Sequence, residues 1–164
     1  MAALFYHRMK KGVCKMAWYD GAVVRFYDRV DDALLKFAVI IAKTDGKWVF
    51  CKHKERDTYE IPGGHREPGE AIADTAVREL QEETGAQDFA IKPVCAYSVT
   101  GKNRVNDTGK EMYGMLYYAD ISGFDQELHS EMEKVCLFDE LPEALTYPEI
   151  QPKLVQEAGR RGYV

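Results

Sequence analysis

Residues 71–84 carry the feature that most restricts this chain: an amphipathic stretch whose acids gather where a helix tolerates them least. It follows Gly-Gly-His-Arg-Glu-Pro-Gly-Glu at residues 63–70 and runs into Gly85, a residue free to take the left-handed conformation that closes a helix. Within it Ala73, Ala76, Val77 and Leu80 recur at helical spacing and predict a buried stripe, with the preceding glycines as a sharply turning loop. Glu79, Glu82 and Glu83 share a different face, spread along about 6 Å of helix.

The last two turns are the negative end of the helix dipole, where each carboxylate costs about 0.3–1 kcal/mol. Arg78 can pair with Asp74 or Glu82, four residues to either side, but Glu79 and Glu83 have no Lys or Arg three or four residues away. A solvated acidic face normally mixes signs. This one does not, which predicts that a cation from outside the chain completes it. Hard divalent ions such as Mg²⁺ take oxygen ligands, so clustered carboxylates suit them.

The stretch resembles the Nudix box. The family pattern is Gly, five residues, Glu, seven residues, then Arg-Glu-apolar-any-Glu-Glu-any-Gly-apolar. Gly64, Glu70, Arg78, Glu79, Leu80, Glu82, Glu83 and Gly85 stand at its positions, and only Ala86 is smaller than the usual final aliphatic. The resemblance implies an α/β/α sandwich with a mixed, largely antiparallel central sheet. It also implies hydrolysis of a nucleoside diphosphate linked to another group, by attack of a metal-activated water on phosphorus.

By resemblance, the metal ligands are Glu79, Glu82 and Glu83, with the backbone carbonyl of Gly63 or Gly64 as a further oxygen. Gly64, Glu70 and Gly85 shape the box, and Arg78 either orients it with Glu70 or acts in catalysis directly. Glu79 and Glu82 are the alternatives for the general base. The family often adds an acid from the loop before the last strand, where Glu127, Glu131 and Glu133 stand; Glu131 is the preferred match. Mg²⁺ is the expected cofactor, with Mn²⁺ as a substitute.

The expected reaction is cleavage of a nucleoside triphosphate, including oxidised guanine nucleotides such as 8-oxo-dGTP, to a monophosphate and pyrophosphate. Hydrolysis of ADP-ribose or a dinucleoside polyphosphate is the alternative. A non-catalytic nucleotide-sensing module is the reading from another class, and the retained box glutamates argue against it. Tyr59, His65 and Arg56 are candidate substrate contacts; Tyr97, Tyr113 and Phe26 are further aromatic platforms, and Lys43, Lys52, Lys102 and Arg104 further phosphate contacts, each also readable as core or as solubilising charge.

Length and composition fit this picture. A chain of 164 residues, 46% hydrophobic and 30% charged, suits one globular domain over residues 1–164, with residues 1–34 the part least covered by pattern or resemblance. A net charge of -5 argues against a duplex nucleic-acid partner, leaving a small nucleotide as the expected one and a monomer or homodimer as the expected state. The four scattered cysteines form no Cys-x-x-Cys pair. No signal peptide is legible, and the apolar run at residues 37–42 is too short to cross a bilayer, so the expected location is the cytoplasm without membrane contact.

The remaining pattern predicts strands at residues 22–27, 35–42 and 48–51, the last two a hairpin across Asp45-Gly46. Further strands are expected at 58–61, 91–99, 112–121 and 135–138, a helix start at Leu141-Pro142, and a terminal helix over residues 150–161.

Overall fold

The apolar run at residues 37–42 lies in a strand with neighbours on both edges and a helix over each face, which is why it lacks the alternation of a half-exposed strand. The computed structural model describes residues 21–103, 106–125 and 132–164. The first elements are β1 (Val23–Tyr27), a 3₁₀ turn (Asp32–Leu34), β2 (Leu35–Thr44), β3 (Lys47–His53), β4 (Tyr59–Glu60) and β5 (Gly63–His65). They are followed by α1 (Ile72–Thr84), β6 (Ala86–Thr100), β7 (Met112–Phe124), β8 (Met132–Phe138) and α2 (Gln151–Arg160).

The sheet runs β1-β6-β7-β2-β3-β4, with β5 added to β2 and β8 to β3. Every pairing is antiparallel except β2 with β7. Side chains of β2 alternate between two cores. Ala38, Ile40 and Ala42 pack with Ala76 and Leu80 of α1, whereas Phe37, Val39 and Ile41 pack with Leu154, Val155 and Ala158 of α2. The fold is the expected α/β/α sandwich with a mixed, largely antiparallel sheet.

The site is positioned by a splay in this sheet. β2 and β3 pair only near their hairpin, from Ala42↔Val49 to Thr44↔Lys47, across a turn in which Asp45 (φ 47°) and Gly46 (φ 77°) are both left-handed. Beyond that point residues 59–65 wedge between them: β4 pairs with β3 through Cys51↔Glu60, and β5 pairs with β2 through Ala38↔Gly64. The wedge delivers Gly63 and Gly64 to the flank of α1.

Four expectations change. Gly63 and Gly64 are strand residues, not a turning loop, and neither has positive φ. They are glycine for want of room: a Cβ on Gly63 would meet the Ala38 carbonyl oxygen at 2.6 Å, and one on Gly64 would meet the Glu79 carboxyl at 2.3 Å. On α1, Ala73 is exposed and Val77 half-buried, while Thr75 and Thr84 join Ala76 and Leu80 inside. Both threonines can be buried because their hydroxyls bond locally, Thr84 Oγ1 to the Leu80 carbonyl and Thr75 Oγ1 to Glu70 and the Ala71 carbonyl.

No helix starts at Leu141-Pro142. The Tyr59 N–H donates to the Ala144 carbonyl and the Thr146 N–H to the Tyr59 carbonyl, both at 2.8 Å, so this segment spends its backbone on β4. Finally, β6, β7 and β8 are longer than their apolar runs, and only Gly85, at φ 71°, separates α1 from β6.

Candidate active site

Arg78 is the hub of the box. Its Nε and Nη2 bind the two oxygens of Glu70 at 2.8 and 3.0 Å, a bidentate pair that ties the approach segment to the helix. Nη1 donates to Glu79 Oε1 at 2.7 Å and to Glu82 Oε2 at 3.3 Å, and Nη2 also reaches the His65 carbonyl at 3.0 Å. The pairing with Asp74 that the spacing allowed is not made; Glu70, eight residues back, takes its place. Arg78 donation, the Glu67 N–H and the Thr75 hydroxyl together hold the Glu70 carboxyl down at about 2.

The three helix glutamates differ sharply. Glu79 is buried against Gly64, and burial pushes its carboxyl up although Arg78 pulls it down. Glu83 accepts the Gly63 N–H at 2.9 Å on Oε2. Burial pushes it up to about 8, opposed by that N–H and reinforced by the like charges of Glu79, Glu60 and Glu82. Glu82 is the exposed one, its side chain 54% accessible.

Among the described residues no three carboxylate, imidazole or thiol side chains converge into a closed metal cage. The acids are drawn to what the chain itself offers, Glu79 to Arg78 and Glu83 to Gly63. The donor set nevertheless fits a hard divalent cation. Two adjacent carboxylates are kept in a water-poor place, Glu83 has no Lys or Arg partner among the described residues, and the strand beside them is pared to glycine so that Glu79 can lie against it.

Other candidates scatter. His65 is exposed, its ring edge-on to Phe37 with centroids 6.4 Å apart. Tyr59 is half-buried and packs edge-on against Phe138 at 4.9 Å. Arg56 binds Glu60 at 2.8 Å. Tyr97, at 2% exposure, belongs to the α2-side core and offers no platform; Phe26 is half-buried against the same core, and Tyr113 is tilted against Tyr27 at 5.8 Å. Lys43 lies over the Trp48 ring at 4.2 Å. Glu127, Glu131 and Arg104 fall outside the described residues, and of Glu133 only its place in β8 is described.

Three contributors escape the sequence pattern: Thr75, Cys51 and Glu60. Thr75 donates its hydroxyl to Glu70, five residues back, a spacing that helix side-chain pairing does not predict. Cys51 donates its thiol to the Glu83 carbonyl at 3.4 Å, and Glu60 pairs with Cys51 across β3 and β4; both depend on a strand register that local pattern does not carry.

The model of the NUDIX domain matches residues 34–158. The candidate 8-oxo-dGTP diphosphatase YtkD of Bacillus subtilis (strain 168) is 37% identical over 112 residues, 68% of this chain and 66% of that protein. A mouse protein, nucleoside diphosphate-linked moiety X motif 6, is 56% identical over 36 residues, 22% of this chain and 12% of its own length. The chain thus spans less than two thirds of either curated relative.

Among solved structures, a mutant form of the Bacillus subtilis pyrophosphohydrolase BsRppH superposes with a TM-score of 0.69 at 27% identity, covering 86% of this chain and 92% of that one. The NUDIX domain of Shewanella oneidensis NrtR, complexed with ADP ribose, superposes with a TM-score of 0.59 at 17% identity over 77% and 87% of the two chains, a likeness of fold. With the domain match running from the approach to β2 into α2, and Glu79, Glu82 and Glu83 gathered on one helix, the chain belongs to the NUDIX domain family.

Proposed function

We propose that this chain hydrolyses a nucleoside triphosphate to a nucleoside monophosphate and pyrophosphate, with oxidised guanine nucleotides such as 8-oxo-dGTP as the substrate class and Mg²⁺ as the cofactor, replaceable by Mn²⁺. The observation that carries the reading is the pair of carboxylates, Glu79 buried and Glu83 half-buried, set against a strand that glycine alone can form. The likeness to YtkD supports the substrate class, and that to a pyrophosphohydrolase supports release of pyrophosphate.

In this reading Glu79, Glu82 and Glu83 hold the cation, with the carbonyl of Gly63 as an additional oxygen. A divalent ion bound there neutralises phosphate charge and lowers the pKa of water. Water adds to phosphorus, the anhydride P–O bond breaks toward pyrophosphate, and a carboxylate takes the water proton. Glu82 is the exposed acid of the three and is assigned that proton, with Glu79 as the other acid within the box and Glu131 as the family-type contribution from outside it.

Arg78 acts by position. It holds Glu79 and Glu82 at one guanidinium nitrogen while its other two bind Glu70, so the acid face stays aligned with β5. His65 and Arg56 are assigned to the phosphates and Tyr59 to the base. The whole of residues 1–164 is read as one Nudix domain.

A panel of nucleoside triphosphates, their 8-oxo forms, ADP-ribose and dinucleoside polyphosphates, assayed separately for pyrophosphate and orthophosphate, tests the reading. Pyrophosphate from a triphosphate, highest with an 8-oxo guanine nucleotide, is expected; turnover of ADP-ribose alone would replace the proposed substrate.

A further inference from the structure

One buried acid outside the box lies behind the acidic face of α1. Glu60 is 8% exposed and stands directly across from Cys51, whose thiol bonds to the Glu83 carbonyl. Paired residues on neighbouring strands share a face, so Glu60 and Cys51 lie on the side of the sheet that the last turn of α1 covers. Glu60 Oε2 accepts Arg56 Nη1 at 2.8 Å, and among the described residues no group takes its Oε1. It is the carboxylate of this pair that adds to the like charge around Glu83.

Stability does not account for the arrangement. A largely buried ion pair such as Arg56–Glu60 is commonly no more stabilising than well-packed apolar side chains, and a fourth acid near the negative end of α1 adds repulsion. The same charge becomes favourable once a cation lies on Glu83. We propose that Glu60 is a positioning residue of the cation site: fixed through one oxygen by Arg56, it leaves the other oxygen and its charge to act on the bound cation's water shell rather than as a direct ligand. Hard ions such as Mg²⁺ keep several waters, which acceptors beyond the direct ligands orient.

The inference rests on the reading of α1 as the cation-binding face, and the experiment separates the two. Metal-free protein is titrated calorimetrically with Mg²⁺ and with Mn²⁺, comparing the parent with Glu60→Gln, the neutral double variant Arg56→Gln/Glu60→Gln, and Glu83→Gln. Unfolding is followed without metal for each. Glu60→Gln is expected to bind either ion about tenfold more weakly. The double variant, which removes the unpaired guanidinium and carries the test if Glu60→Gln melts too low to titrate, is expected to stay about threefold weaker than the parent.

Parental affinity in Glu60→Gln, with Glu83→Gln weakened, overturns the role of Glu60 and leaves the α1 site standing. Parental affinity in the double variant also overturns it, reducing Glu60 to a neutraliser of Arg56. Parental affinity in Glu83→Gln overturns the cation reading of α1 itself, and this inference with it.

Discussion

At the scale of single residues, the site depends on what is missing as much as on its acids. Gly64 lies so close to Glu79 that a methyl group there would overlap the carboxyl. Gly64→Ala must therefore push Glu79 off the strand and away from Arg78. The expected result is a fall in kcat/KM of at least about tenfold with a stability loss of about 1–3 kcal/mol, as for overpacked positions. Steady-state kinetics and a denaturant melt on the same preparation check both halves. Arg78→Lys is a second test: a lysine keeps the charge but cannot grip both oxygens of Glu70 while reaching Glu79 and Glu82. Activity is expected to fall more than thermal stability, because the acid face loses alignment while α1 keeps Ala76 and Leu80 in the core.

At the scale of elements, α1 and α2 are closed in different ways. Gly85 takes the left-handed conformation, its N–H bonds to the Gln81 carbonyl, and its own carbonyl accepts from Asp125. Gly85→Ala is expected to cost about 1–2 kcal/mol by differential scanning calorimetry, the strain of a side chain in that region, with KM little changed. α2 closes on charge. Glu157, 8% exposed, takes two bonds from Arg160 and one from Arg161, and these guanidinium bonds hold its carboxyl down at about 2.

A carboxyl depressed in the folded state stabilises the fold above its ordinary value near 4.5 and loses that contribution as pH falls toward 2. Acid titration of the melting temperature should show this loss in the parent. Glu157→Gln is expected to be less stable at neutral pH by about 1–3 kcal/mol, the scale of bonds to charged groups, and to converge on the parent only as pH falls through about 2. A difference that stays constant through the acid range would place the effect in packing rather than in the ion pairs.

At the scale of the molecule, what the sequence made legible follows from the range of the interactions. The span of α1, its Gly85 stop, the β2–β3 hairpin across Asp45-Gly46 and the terminal helix are local matters of period and turn chemistry, and the structure has them where the pattern puts them. The box was legible because its residues keep a fixed spacing within one short stretch, most of it a single helix. The partners of those residues were not. Gly63 supplies an N–H to Glu83, and Cys51 and Glu60 lie beneath the last turn; the Arg78–Glu70 pair was expected only by resemblance, since helix spacing points to Asp74 or Glu82. The contacts of Gly63, Cys51 and Glu60 exist because residues 59–65 wedge between β2 and β3, a long-range pairing that no periodicity encodes. Burial of Tyr97, which removes it as a platform, is of the same kind, since it depends on β6 lying between β1 and β7.

The proposed function is divalent-cation-dependent cleavage of a triphosphate on the acid face of α1. It is tested most directly by measuring pyrophosphate release from 8-oxo-dGTP as Mg²⁺ is raised from zero in a chelator-treated preparation, for the parent and for Glu82→Gln. No turnover is expected without the ion and saturating turnover with it, and kcat should be lower by about 100-fold or more in Glu82→Gln at unchanged melting temperature. Turnover that ignores Mg²⁺, or a Glu82→Gln variant as fast as the parent, would contradict the claim.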